Sequence, residues 1–126
     1  MIHSIVDTTV VVHVLRRNPD ARLWVSTQPD RLAITSITWL EIMEGTTSKS
    51  NQGEAKRILS MFELLYLTST DQQWAMQQLE LLQFSHHIGM NDCLIAAVAK
   101  RFGAALYTHN LKDMTPLLGE LAIKPY

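Results

Sequence analysis

Ile2-His3-Ser4-Ile5-Val6-Asp7-Thr8-Thr9 is a short apolar run that closes on an acid and then on two hydroxyl residues. Ile2 to Val6 reads as a strand, and Thr8-Thr9 can cap a helix that runs through Val12 and Leu15 to Arg16. Strand and helix then alternate along the chain. Asn18-Pro19-Asp20 breaks the first helix and starts another through Leu23 and Trp24, with proline at an early position where its missing N–H costs nothing. Leu32 to Thr35 is a second strand, a helix follows from Ser36 to Met43 and ends near Gly45, and Gly45 to Gly53 is a polar loop. Asn51 to Leu65 puts Ile58, Leu59, Phe62 and Leu65 on one helical face and leads into a short strand at Leu65 to Leu67. Thr70-Asp71-Gln72-Gln73 has the form of a capping box opening a long helix that carries Trp74, Leu79, Leu82 and Phe84. Beyond Gly89, Asn91 caps a helix bearing Leu94, Ile95, Val98 and Phe102; Gly103 stops it, and Ala104 to Tyr107 is a strand. A helix over Leu111 to Leu118 and a last strand near Leu121 to Lys124 complete the order.

Strands separated by helices predict an α/β fold with a central parallel β-sheet flanked by helices on both faces, because parallel neighbours need crossover connections and each crossover buries one helix stripe. The 126 residues hold no repeat, low-complexity tract or dividing linker, so a single domain over 1–126 is expected. An apolar share of 47% and a charged share of 18% are those of a globular protein. No stretch approaches the roughly 20 apolar residues needed to cross a bilayer, and no membrane partner is expected. The N-terminus lacks the basic region and cleavage site of a signal peptide, and Cys93 is the single cysteine, which excludes an internal disulfide and fits a cytoplasmic setting. The net charge of -1 gives no global pull toward nucleic acid. Local attraction would fall to Arg16-Arg17, Lys56-Arg57, Lys100-Arg101 or Lys112, each of which has the plainer reading of a solvated helix terminus.

In open parallel sheets functional groups gather where strands end and helices begin. Asp7 ends the first strand, Glu41 lies in the helix after the second, Asp92 starts a helix, and Asp113 follows the strand that ends at Tyr107-Thr108. Singly, each has an ordinary role: Asp7 as an N-cap, Glu41 closing a capping box with Thr38, Asp92 complementing a helix dipole, Asp113 stabilising the turn at Asn110. Jointly they call for chemistry, since two carboxylates about 4 Å apart repel by about 4 kcal/mol at an effective dielectric of about 20. Such a cluster persists only with cations or shifted pKa values. Hard oxygen donors without competing imidazoles or thiolates suit Mg²⁺ or Mn²⁺.

Other devices are missing. Gly45-Thr46-Thr47-Ser48-Lys49-Ser50 lacks the spacing of a phosphate-cradling loop, and no Gly-x-Gly-x-x-Gly occurs. Asp7-Thr8-Thr9 lacks the second acid of an aspartyl-phosphate phosphatase. Cys93, with Leu94 and Ile95 after it, reads as a small core residue, and His86-His87 splay by about 100° on a helix, so one metal does not take both.

Ile5-Val6-Asp7-Thr8, then Ile34-Thr35-Ser36-Ile37-Thr38-Trp39-Leu40-Glu41 with Gly45 beyond it, then Asn91-Asp92-Cys93-Leu94-Ile95-Ala96-Ala97, then Thr108-His109-Asn110-Leu111-Lys112-Asp113 occur in this order. In order, spacing and total length the chain resembles the PIN-domain family, and within it the VapC-like toxins of toxin–antitoxin pairs. The resemblance implies a metal-dependent endoribonuclease, a homodimer, an RNA substrate and a cognate antitoxin that obstructs the acidic pocket. It carries Asp7, Glu41, Asp92 and Asp113 over as the catalytic, metal-holding acids, with Thr8, Thr108 and Asn110 in support. Glu41 is either a ligand or the residue that orients water, and Glu44, one turn on, offers a spare ligand, against the commoner reading of an exposed helical glutamate. Thr9, His109 and Met114 depart from the residues commoner at those places, which bears on how Asp113 is positioned. Hydrolysis of this kind leaves 5′-phosphate and 3′-hydroxyl ends. Two alternatives share the fold: an RNA-processing nuclease that is not a toxin, and a catalytically idle binding module.

Overall fold

The computed structural model describes residues 4–126. Strand β1 spans Ser4–Val6; the expected start at Ile2 lies outside the described residues. The order continues with α1 (Thr8–Leu15), α2 (Pro19–Ser26), β2 (Ala33–Thr35), α3 (Ser36–Glu44), α4 (Lys49–Leu59), β3 (Glu63–Leu65), α5 (Ser69–His86), α6 (Met90–Phe102), β4 (Ala105–Tyr107), α7 (Leu111–Leu118) and β5 (Ala122–Ile123). All strand pairs are parallel, in the spatial order β3-β2-β1-β4-β5. The chain works outward from β1 to β3, then returns to the other side of β1 with β4. The switch point therefore lies between the carboxyl ends of β1 and β4.

The pleat divides the core in two. Ile5 points into a cluster built on α5, α6 and α7 with Ile95, Val98, Met114 and, from β4, Leu106, while its neighbour Val6 points into a second cluster with Val10, Val14, Ile42 and Ile58 from α1, α3 and α4 and with Ile34 from β2. Both residues are fully buried, and helices cover both faces of the sheet. Burial on two sides explains why β1 reads as an unbroken apolar run. Among the described residues no helix is long and apolar enough to cross a membrane.

Several element boundaries differ from the sequence reading. Strand β3 is Glu63–Leu65, earlier than Leu65 to Leu67, because the hydrogen-bond register to β2 aligns Ala33 with Glu63 and Thr35 with Leu65. Helix α4 accordingly stops at Leu59, and its start at Lys49, capped by the Ser48 hydroxyl, shortens the expected Gly45–Gly53 loop. The capping box of α5 is Thr68 with Asp71 instead of Thr70 with Gln73. Asp71 is drawn to that register by Arg101, whose Nε lies 3.0 Å from its carboxylate. Phe84, expected on the apolar face of α5, is 85% exposed near the helix end. Gly89 is the N-cap of α6, which leaves Asn91 inside the first turn with its side chain free for another partner.

Candidate active site

Asp7 stands at the switch point. Its side chain, not those of Thr8 or Thr9, caps α1: Oδ1 accepts the Thr9 backbone N–H at 2.9 Å and also the Thr9 hydroxyl. Oδ2 accepts the Thr108 hydroxyl from the end of β4, and the Asp7 N–H donates to the Tyr107 carbonyl at 3.0 Å. The ordinary N-cap reading and the functional one thus describe the same carboxylate. Asp7 is 3% exposed, and burial pushes its carboxyl above the usual carboxylate range despite those donors.

Glu41 projects from α3 and is held on both oxygens. Oε1 accepts the Thr8 hydroxyl at 2.7 Å, and Oε2 accepts the Asn91 side-chain amide at 3.3 Å. Thr8 spends its one proton on Glu41, so the Thr38 hydroxyl, 3.0 Å away, donates to Thr8. Thr38 lies in the first turn of α3 and is buried, and the box it was expected to form with Glu41 does not exist: Thr35 caps α3 and accepts the Thr38 N–H.

Asp92, in the first turn of α6, closes the site. Burial and then the charges of Asp113, Asp7 and Glu41 push its carboxyl up to about 6. Asp113, in the first turn of α7, reaches it through Asn110, whose Nδ2 donates to Asp113 at 3.0 Å and to Asp92 at 3.5 Å. The Asn110 backbone N–H donates to Thr108 Oγ1 at 2.9 Å, which ties this corner back to Asp7. Asp7, Glu41 and Asp92 line one open cavity of about 360 Å³ with Thr8, Thr9 and Asn110; Asp113 does not line it and joins the site through Asn110.

The departures at Thr9, His109 and Met114 have structural uses. The Thr9 hydroxyl accepts the His109 backbone N–H at 3.1 Å and donates to Asp7, linking the β4 exit to the central acid. Met114 is fully buried in the core. Glu44 is exposed and outside the cavity, Cys93 is buried with its thiol pushed up by burial, and His86 and His87 are exposed where α5 ends. Sequence reading missed Asn91 and Thr38 as carriers of Glu41, and it missed the wall formed by Val12, His13 and Arg16. The signal for that wall was present: Thr9, Val12, His13 and Arg16 fall on one helical stripe that starts beside Asp7.

Among the described residues no three His, Cys, Asp or Glu side chains close a metal cage by themselves. A partial set still fits a hard cation. Mg²⁺ keeps several waters and takes one or two carboxylates together with substrate phosphate. Burial first, and then the charges of three neighbouring acids, raise the Asp92 carboxyl to about 6, surroundings in which a bound cation would be favourable.

The family model described as PIN domain matches residues 4–112. The chain belongs to the PIN domain family. It is 29% identical over 115 residues to a protein named Ribonuclease VapC2 from Rickettsia felis, covering 85% of this chain and 86% of that one. To Ribonuclease VapC1 of Haemophilus influenzae it is 26% identical over 118 residues, with 85% and 86% covered. Among solved structures, VapBC from Salmonella typhimurium bound to DNA has a similar chain, at TM-score 0.86 and 22% identity with 100% of both chains covered. VapBC2 from Rickettsia felis bound to a promoter DNA fragment aligns at TM-score 0.80 and 26% identity over 98% of each chain. As a PIN domain, the chain has the parallel α/β sheet that its strand–helix alternation predicted.

Proposed function

We propose that this PIN domain is a metal-dependent endoribonuclease, the toxin of a VapBC-type toxin–antitoxin pair, with Mg²⁺ or Mn²⁺ as cofactor. The observation that carries the reading is the convergence of Asp7, Glu41 and Asp92 on one open cavity at the switch point, with Asp113 coupled to Asp92. The names of the relatives, ribonucleases and toxin–antitoxin complexes, support the same class.

Asp7, Asp92 and Asp113 would hold the ion, with Glu41 either completing the set or orienting water. A divalent cation in such a site acidifies water and offsets charge gathering on a phosphate. The chain's own contribution is placement. Thr108 and Thr9 fix the Asp7 carboxylate, Thr8 and Asn91 hold Glu41 by both oxygens, and Asn110 keeps Asp92 and Asp113 together. With both oxygens of Glu41 anchored, its carboxylate keeps one orientation, in which it would accept a hydrogen bond or the proton of an attacking water held within hydrogen-bond reach. The products would carry 5′-phosphate and 3′-hydroxyl ends.

The partners in this reading are RNA, an antitoxin that covers the acidic cavity, and a second copy of the chain in a homodimer. Exposed Tyr66, Met76 and Met90 on an apolar groove of about 520 Å³, with exposed Leu40 on the hollow that adjoins it at Tyr66, support self-association. A cytoplasmic location follows from an RNA target and an unpaired cysteine.

Purified protein incubated with total cellular RNA and Mg²⁺ or Mn²⁺ is expected to produce discrete new 5′-phosphate ends that vanish in the Asp7→Asn variant and in excess EDTA. Full activity in either control would sink the metal mechanism, and no cleavage by the wild type would leave the idle binding module as the answer. Growth arrest on expression, relieved by a small neighbouring protein, separates a toxin from an RNA-processing enzyme.

A further inference from the structure

The acidic cavity has a basic side. Val12, His13 and Arg16 line it from α1, with His13 and Arg16 one turn apart, facing Asp7, Glu41 and Asp92 across the opening. The Arg16 side chain makes no hydrogen bond or ion pair among the described residues, although Asp7, Glu41 and Asp92 line the same cavity; its backbone N–H closes α1 on the Val12 carbonyl. Other basic side chains have structural work, whereas Arg17, Lys49, Lys56, Lys112 and Lys124 are as unengaged as Arg16 among the described residues but do not line the cavity. Arg57 pairs with Glu54, Arg101 pairs with Asp71 and bonds the Tyr66 carbonyl, Lys100 lies over Trp74, and Arg22 bonds the Val14 carbonyl at the end of α1. Arg16 also borders a second groove of about 340 Å³ between α1, α3 and α4, which shares Thr8, Val12 and Glu41 with the first.

His13 is held in place. Its Nδ1 lies 2.7 Å from the Tyr126 hydroxyl, and its ring packs on His109 with centroids 4.7 Å apart. The Tyr126 hydroxyl has one proton and, among the described residues, His13 as its side-chain partner. Which of the two donates depends on the His13 tautomer; in the one where the hydroxyl donates to Nδ1, the ring hydrogen stands on Nε2 and gives His13 a donor on its remaining polar edge.

We propose that Arg16 and His13 form the phosphate-binding wall of the cavity, gripping the RNA backbone beside the scissile bond, with Tyr126 as the residue that positions His13. The assignment rests on the ribonuclease reading above. Arg16 is the guanidinium contact and His13 a hydrogen-bond donor beside it, and the groove past Arg16 takes the adjoining nucleotide of the same strand. A guanidinium with no internal partner suits bidentate contact with phosphate oxygens. It also supplies a local positive charge in a protein whose net charge gives none.

The test uses a hairpin RNA carrying a cleavage site mapped with the wild type, and compares Arg16→Gln, Arg16→Lys, His13→Leu, His13→Gln and Tyr126→Phe, each checked for an unchanged melting temperature. Losing a charged hydrogen bond is expected to raise KM about tenfold in Arg16→Gln with kcat within about threefold. The slope of log affinity against log salt should fall by about one in the same variant, and Arg16→Lys should restore it. His13→Leu should raise KM about fivefold, with His13→Gln recovering most of it because its amide can donate from nearly the same place, and Tyr126→Phe should fall between. Unchanged KM and salt slope in Arg16→Gln and His13→Leu, while the wild type cleaves, overturn this assignment and leave the ribonuclease reading standing. A loss confined to kcat overturns it as well. No cleavage by the wild type overturns both.

Discussion

Asp7 and Asp71 are both 3% exposed, and the chain treats them in opposite ways. Asp71 is closed off from within: the Arg101 guanidinium lies 3.0 Å from its carboxylate, and the Thr68 backbone N–H donates to it at 2.9 Å. Asp7 receives only neutral donors, the hydroxyls of Thr9 and Thr108 and backbone N–H groups from the first turn of α1, and its carboxyl is pushed up by burial. A buried acid with its own cation inside the fold is a staple. A buried acid fixed in place by neutral groups, with Asp92 and Glu41 across a cavity, is a site that waits for charge from outside.

The sharpest way to break this contrast is to neutralise each acid in turn. Asp7→Asn should lower cleavage at least about a thousandfold, a loss of about 4 kcal/mol of transition-state stabilisation, while its melting temperature in metal-free buffer stays level or rises because a buried charge is gone. A rate within tenfold of wild type would remove Asp7 from the mechanism. Asp71→Asn should do the reverse. It strands Arg101 and weakens the α5 cap, costing about 2–3 kcal/mol in urea unfolding, with cleavage by the folded fraction little changed. Equal stability of the two variants would dissolve the distinction.

Divalent metal gives the next largest effect. Saturating Mn²⁺ should raise the melting temperature of the wild type and of Asp71→Asn by several degrees, as expected when an ion at about 100 times its Kd adds roughly 2.7 kcal/mol to the folded state. Differential scanning fluorimetry on Asp7→Asn and Asp92→Asn should show most of that shift lost. An undiminished shift in both would place the ion elsewhere.

The smallest effect is the response to pH. Asp92 titrates at about 6 in the folded chain against a model-peptide value of 3.8, so the folded state holds its proton more tightly than the unfolded one. Its contribution to stability is complete below pH 3.8 and is lost as pH rises through 6. Asp92→Asn should therefore gain on the wild type over that window in metal-free buffer, by about 1 kcal/mol once partial solvent screening is allowed for. Urea midpoints measured at both ends of the window decide it, and a difference that runs the other way would mean that Asp92 is paired, not crowded.

The alternation of elements and the places of all four acids were legible without coordinates, because they depend on local matters: apolar runs between caps, a proline at an early helical position, glycines after helices. Boundaries that failed were those set by partners distant in the chain. Register with β2 placed β3 at Glu63, and Arg101 drew the α5 cap back to Thr68. Single roles were also local: Asp7 is an N-cap, as its position before two threonines allowed.

The sequence by itself determined the α/β alternation and the family to which the chain belongs, and it marked Asp7, Glu41, Asp92 and Asp113 as acids lying where strands give way to helices. Tertiary structure alone decided what surrounds them. Thr108 reaches Asp7 across 101 positions, Asn91 reaches Glu41 across 50, and Tyr126 reaches His13 across 113. Contacts of that span leave no periodicity in the chain, so only the folded sheet, returning β4 beside β1, determines which acids are neutralised from within and which are left facing a cavity.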